Sequence, residues 1–390
     1  MVNTDRLAAL QRTIADKAVD CAILFYSRDV FYYTGTAQPA YLFVTPEDYC
    51  LYVRSGLEFA LQEVFIEKGK IKAERRLENI CGEISDLLGK GSRVAIEMDV
   101  LPAARFFKIQ QLLADCDFLD ASPIVLEQRK IKDHWEIGRI RRACEAIDRG
   151  HHAVLSTLRD GITELELAAA IENAHRLAGH EGIFFIRQPD FFMSRGPLSS
   201  GSNLFKISGV VYTITGVGLS PSVPAGPSKR QIAEGEPVIV DIPTLVDGYH
   251  ADQTRTYVLG RANERIRWMH AKLKEIADYL IEQIRPEMAC CDICRKAFQK
   301  AEQLKVSDIF MSFGKGKSSQ LVGHGVGVEL NEPPSIAPYE RSKISRDNVI
   351  ALDMHMLEKN VGVVKLEDMI LVKPEGNHIL NQTARELFEI

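Results

Sequence analysis

The chain has 390 residues, of which 46% are hydrophobic and 26% charged, the balance of a folded globular protein rather than a disordered or fibrous one. That length exceeds one ordinary core, so two domains are expected. The net charge of −5 argues against a general nucleic-acid binder, and no run approaches the roughly 18 apolar residues of a membrane span.

The first 20 residues, MVNTDRLAALQRTIADKAVD, hold no apolar signal core, which predicts a cytoplasmic protein. Residues 4–18 have the pattern of an amphipathic helix. CAILFY (21–26), YLFVT (41–45) and YCLYV (49–53) read as strands, Leu57 to Lys68 as a helix, and SRVAIEM (92–98) as a further strand. Helix and strand signals in this order predict an N-terminal α/β domain over residues 1–126.

A second domain is expected over residues 127–390. It opens with EQRKIKDHWEIGRIRRACEAIDRG, where Ile137, Ile140, Cys144 and Ile147 recur at helical spacing. Arg139, Arg141 and Arg142 then form the solvated face. Thr163 and Glu166 make a capping box ahead of a helical run. VIVDI (238–242) and HADQTRTYVL (250–259) flank Asp247-Gly248, which predicts a hairpin. A long helix is expected at 262–285, and strands return from 321 onward.

Eight cysteines stand at 21, 50, 81, 116, 144, 290, 291 and 294, in keeping with a reduced compartment. Cys291 and Cys294 form a C-x-x-C, but no second Cys pair has zinc-site spacing. The plainer reading is a helix with Cys291, Cys294 and Phe298 on one face.

The chemistry gathers at Asp241, Asp252, His324, Asp353 and Glu367. The first two are 11 residues apart and the last two 14 apart, with His324 between them in GHGVGVELNEPP. Singly, each has a bland account. Asp241 could cap a turn, a lone His between glycines is more often structural, and Glu367 alternates with Lys365 on a strand that could face water. Jointly those accounts weaken. Asp241 ends an apolar strand and Asp353 sits inside one, where an unpaired carboxylate is costly. Four carboxylates and an imidazole suit two divalent cations such as Mn²⁺, Co²⁺ or Zn²⁺, which can activate a water at neutral pH.

PVIVDI…DGYHADQTRTY, LVGHGVGVELNEPP, NVIALDM and GVVKLEDMILV resemble the pita-bread metallohydrolases. That family includes Xaa-Pro dipeptidase (prolidase), aminopeptidase P, methionine aminopeptidase and creatinase. Residues 1–125, with SRDVFYYTGT, resemble its creatinase-type N-terminal domain. The resemblance implies an α/β (α+β) chain with a C-terminal pita-bread domain. It implies a dinuclear metal centre in which Asp241 holds one ion, Asp252 and Glu367 bridge both, and His324 and Asp353 hold the second. Arg255 would orient carboxylates, and Glu367 would assist the attacking water. A cytoplasmic homodimer acting on a small peptide or amide is implied as well.

Three departures stand against the family pattern. Asp353 replaces a Glu, and being one methylene shorter its carboxylate retreats by about 1.5 Å. That weakens the second metal site. Asn331 stands where the peptidases carry a His, and Asn cannot carry a proton. Ala225 stands at or beside a second family His. His355 and His250, each two residues from a carboxylate on a strand, could enter the site instead. Arg195 and Asn203, on one loop, could line the cleft. Besides an Xaa-Pro peptidase, two readings stay open: a creatinase-like enzyme with other C–N or C–X chemistry, and a non-catalytic binding relative.

Overall fold

The computed structural model describes residues 5–188, 190–191, 193–208 and 213–390. Thr4, the start of the first expected helix, lies outside them. The chain divides into two compact units, Met1–Arg129 and Lys130–Ile390.

The first unit is built on a six-stranded mixed sheet, in the order Ile71–Ala73, Tyr49–Val53, Ala40–Val44, Cys21–Leu24, Arg93–Ile96 and Asp117–Asp120. Side chains alternate across it with period two. Ala22, Leu24, Leu42, Val44, Leu51 and Val53 enter one core, while Cys21, Ile23, Tyr41, Phe43 and Tyr52 enter another on the opposite face. The first helix, Asp5–Asp16, buries Leu7, Leu10 and Ile14 against the former. The helix expected to reach Lys68 ends at Glu63. Beyond it the Phe65 N–H donates to the Thr34 carbonyl at 3.0 Å, a tertiary bond that replaces the next helical one.

The helix expected from Glu127 onward is two helices, Ser122–Lys130 and a second in the second unit. Lys130 ends one, and Asp133 caps the next, His134–Thr157. Asp133 accepts from the Glu136 N–H at 2.9 Å, and Glu136 accepts from the Asp133 N–H at 3.0 Å. Arg141 and Arg142 are exposed, whereas Arg139 lies 3.5 Å over the Trp135 ring. The Thr163–Glu166 capping box starts the helix Glu164–Leu177.

A nine-stranded sheet forms the centre of this unit. Its main path runs Glu332–Ser335, His324–Gly325, Val349–Glu358, Gly362–Leu371, Thr254–Val258, Pro237–Asp241 and Leu198–Ser200, antiparallel at every step. The two long strands present Ile350, Leu352, Met354, Met356, Val364, Leu366 and Ile370 to the helix Glu264–Gln283, through its Ile266, Met269, Leu273, Ile276 and Leu280. The odd-numbered residues 353, 365 and 367 therefore face the other way. The expected hairpin has two tiers. Pro237–Asp241 pairs with Thr254–Val258, and between them Thr244–Val246 pairs with Tyr249–Ala251 around Asp247 (φ 50°) and Gly248 (φ 78°). In the helix Cys290–Gln303, Cys294 is in the core with Phe298 packed against it, Cys290 is buried as well, and Cys291 is half-buried.

His175 packs so closely on the neighbouring helix that a Cβ on Gly150 would lie 2.0 Å from its Nε2. Burial pushes His175 down to about 4, and its neutral Nε2–H donates to the Ile147 carbonyl at 3.3 Å. An unfolded His titrates near 6.5, so between those values only the unfolded chain takes up the proton, and roughly 3 kcal/mol of stability drains away as pH falls. Denaturant midpoints of the wild type should therefore drop between about pH 7 and pH 4.5. A folded His175→Gln variant should show a shallower fall, and equal slopes would remove His175 from the account.

Candidate active site

Strand register assembles the site. Asp241 stands opposite Thr254, Thr254 opposite Glu367, and Glu367 opposite Asp353, so one row crosses four strands. His324 lies on the next strand, opposite Ala351. Asp252 follows the inner hairpin, where its Oδ1 accepts from the Gln253 N–H at 3.0 Å and its carbonyl accepts from Asn381 at 3.0 Å. The row faces away from the helices, into a cleft of about 280 Å³ that all five expected ligands line.

Within this group, Asp252, His324 and Glu367 converge. His324 Nε2 is 3.8 Å from Asp252 Oδ2 and 3.7 Å from Glu367 Oε1, and the three ligand atoms lie within 4.8 Å of one another. These gaps are too long for hydrogen bonds, yet suit atoms that share a cation at about 2.0–2.2 Å. His324 Nδ1–H donates to the Gly325 carbonyl at 3.1 Å, which leaves the Nε2 lone pair facing the carboxylates. Glu367 Oε1 is buried and accepts no hydrogen bond. The donor set fits a divalent metal.

The electrostatics point the same way. Burial raises the Glu367 and Asp252 carboxyls well above the usual range, and neighbouring carboxylates add to the rise. Asp241 is raised by burial too, against the pull of Lys365. Burial lowers His324, which keeps its imidazole neutral. A bound cation relieves this crowding of negative charge.

Two functional residues were missed from the sequence, Lys365 and Thr254. Lys365 is fully buried and donates a short hydrogen bond to Asp241 Oδ2. Its Nζ is also 3.0 Å from Asp353 Oδ1 and 3.7 Å from Glu367 Oε2. Burial works against its charge, but Asp241, Asp353 and Glu367 outweigh that and hold its pKa well above the usual lysine value. The signal was present: residues two apart on a strand share a face, so a Lys at 365 goes where Glu367 goes. Thr254 Oγ1–H donates to Glu367 Oε2 at 2.8 Å.

Other expectations need correction. His355 shares the face of Asp353, yet it is buried and does not line the cleft. Its Nε2–H donates to the Ser312 carbonyl at 3.0 Å, and its ring stacks on Phe313. Burial pushes it down to about 4. His250 ties the Phe185 N–H (3.0 Å) to the Gly327 carbonyl (3.1 Å). Asn203 is buried against Glu164 and Ser228, and Arg195 borders a neighbouring depression. Arg255 touches no candidate ligand side chain. It clamps the backbone instead, donating to the Glu367 carbonyl and Asp368 Oδ1, each at 2.7 Å. Asn331 does line the cleft, while Ala225 is buried outside its lining.

Together the fold and the buried carboxylate–imidazole trio define a metallohydrolase. The chain belongs to metallopeptidase family M24, which it matches over residues 138–374, and residues 6–131 match the creatinase/prolidase N-terminal domain. It is 25% identical to the Xaa-Pro dipeptidase of Pyrococcus furiosus, over 98% of this chain and 99% of that one. Its fold is that of the Xaa-Pro dipeptidase from Bacillus anthracis (TM-score 0.84, 19% identity, all of both chains). It also matches an X-Pro aminopeptidase from Thermotoga maritima (TM-score 0.80, 20% identity, 100% of this chain and 99% of that one).

Glu367→Gln keeps the side-chain shape and removes the charge, so Mn²⁺ affinity should fall by about 100-fold or more in calorimetric titration. Thr254→Val removes only the donor to Oε2 and should cost about 10-fold. Unchanged Mn²⁺ binding in Glu367→Gln would exclude the trio as the metal site.

Proposed function

We propose that this metal-dependent peptidase cleaves Xaa-Pro dipeptides or similarly short peptides, with Asp252, His324 and Glu367 holding Mn²⁺, Co²⁺ or Zn²⁺. The observation that carries the reading is the trio of unbonded donor atoms at the floor of a small cleft. A cleft of about 280 Å³ is at the low end for ligand pockets, which suits a substrate of two or three residues. Phe184, Phe191 and Leu330 give it apolar walls against which a proline ring can pack. A divalent ion bound there supplies Lewis-acid activation of water and of the scissile carbonyl.

The protein's own groups do the rest. Asn331 donates a hydrogen bond to the substrate from the cleft wall but cannot shuttle a proton. Glu367, whose Oε1 is unbonded, would hold the cation through that oxygen. Arg255 and Thr254 fix the backbone and one oxygen of Glu367, so that the other oxygen keeps its aim. The creatinase-like alternative draws on Asn331 and Ala225, where the peptidases carry imidazoles. All eight thiols are free, in keeping with a reducing cytoplasm; the resemblance adds a homodimer, which light scattering would check.

Protein stripped with a chelator should be inactive on a panel of Xaa-Pro dipeptides and recover when Mn²⁺, Co²⁺ or Zn²⁺ is restored. Asn331→His should raise kcat by at least about 10-fold, since a positioned acid–base group contributes that much or more. Failure of every metal-loaded form on every dipeptide would move the assignment to other C–N chemistry.

A further inference from the structure

We infer that the Lys365 ammonium stands in place of one metal ion, so that the centre takes a single divalent cation, held by Asp252, His324 and Glu367. This deepens the metal-dependent reading and rests on it.

The inference comes from how each carboxylate oxygen is used. Asp241 Oδ2 accepts the Lys365 hydrogen bond, and Asp353 Oδ1 lies 3.0 Å from the same nitrogen. Both side chains that could belong to one metal alone therefore face a covalently attached cation, Asp241 through a hydrogen bond and Asp353 through an ion pair without hydrogen-bond geometry. Neither belongs to the convergent donor set. The two carboxylates that would have to bridge two ions are divided as well. Glu367 Oε2 accepts from Thr254 Oγ1 at 2.8 Å and lies 3.7 Å from Lys365 Nζ, whereas Oε1 faces His324. Asp252 Oδ1 accepts from the Gln253 N–H, whereas Oδ2 faces His324. Each thus turns one oxygen to the protein and one to the trio.

A second ion at Asp241 would meet the ammonium bonded to that same carboxylate. At such range, like charges in a buried site repel strongly. Lys365 has no other room, because its side chain is fully buried and its backbone is fixed on both sides: Lys365 N–H donates to Thr256 Oγ1 at 2.9 Å, and Thr256 Oγ1–H donates to the Lys365 carbonyl at 2.8 Å. Lys365 is a positioning residue. It holds Asp241 and Asp353 and supplies fixed positive charge beside the metal.

The test is metal counting on the full chain, stripped with chelator and titrated with Mn²⁺, by calorimetry and by mass spectrometry after gel filtration. The wild type should bind about one Mn²⁺ per chain and give the resonance pattern of an isolated ion. Lys365→Met should bind about two, with a spin-coupled signal, because Asp241 and Asp353 are released to ligate. Lys365→Arg should stay at one. A wild-type count of two would overturn the inference and leave the metal-dependent reading intact. A count of none would overturn both. A folded Lys365→Met protein that still binds one would show that the ammonium does not exclude the second ion. Should that variant fail to fold, the wild-type count decides alone.

Discussion

Lys365 carries its charge on the same strand as Glu367, and its ammonium is enclosed by the carboxylates of Asp241 and Asp353, with Glu367 just beyond. Four acidic side chains gather here, with Asp241, Asp252 and Glu367 buried and Asp353 partly so. Left unpaired, each would cost several kcal/mol to bury as an ion, or would take up a proton. The lysine neutralises one side of the cluster, and the imidazole–carboxylate trio on the other side is left to attract an external cation. Fold and chemistry meet in this division, because the same residues that would repel one another are what the sheet holds in a row.

The row depends on register. Asp241, Thr254, Glu367 and Asp353 face one another across successive strands, and the alternate positions on the two long strands enter the apolar core against the helix Glu264–Gln283. A slip of one residue would turn Leu352, Met354 and Leu366 toward the cleft and the carboxylates into the core. Burial of the apolar face thus fixes the polar face at no added cost in design. Arg255 strengthens the arrangement from behind: its guanidinium gathers the carbonyls of Thr254, Glu367, Thr383 and Ala384 with the Asp368 carboxylate. It positions the backbone rather than the ligands' oxygens, which the pattern DQTRTY alone could not distinguish. On a strand, Thr254 and Arg255 point to opposite faces, and only Thr254 reaches the site.

Much of this was legible in the sequence. Short apolar runs located the main strands, and the spacing of Asp241, Asp252, His324, Asp353 and Glu367 singled out five residues that line one cleft. Lys365 was visible but given no role, since a lysine beside an acid on a strand is usually a solvated pair. Its burial follows from pairing with strands on both sides, which is a tertiary fact. His355 and His250 met the face rule applied to them, yet that rule says nothing of depth. His355 stacks on Phe313, and His250 bridges Phe185 and Gly327. The helix expected from Glu127 failed for a local reason, because Asp133 with Glu136 starts a new helix inside a continuous charged stretch.

Asp353 and Lys365 are better understood together than apart. Taken alone, an Asp in place of the family's Glu is a damaged metal ligand, its carboxylate drawn back by about 1.5 Å. Beside Lys365 the shorter side chain has a different consequence. The retreat leaves room for an ammonium between positions 241 and 353, and Asp353 Oδ1 lies 3.0 Å from it. A glutamate at 353 would push its carboxylate into the space the lysine occupies, while a shorter partner at 365 would leave Asp241 and Asp353 facing each other without a cation. The shorter carboxylate and the buried ammonium account for each other's place. A centre that has exchanged a metal for a lysine keeps its positive charge without taking up a second ion, and it gives up a position at which a second ion could polarise the substrate.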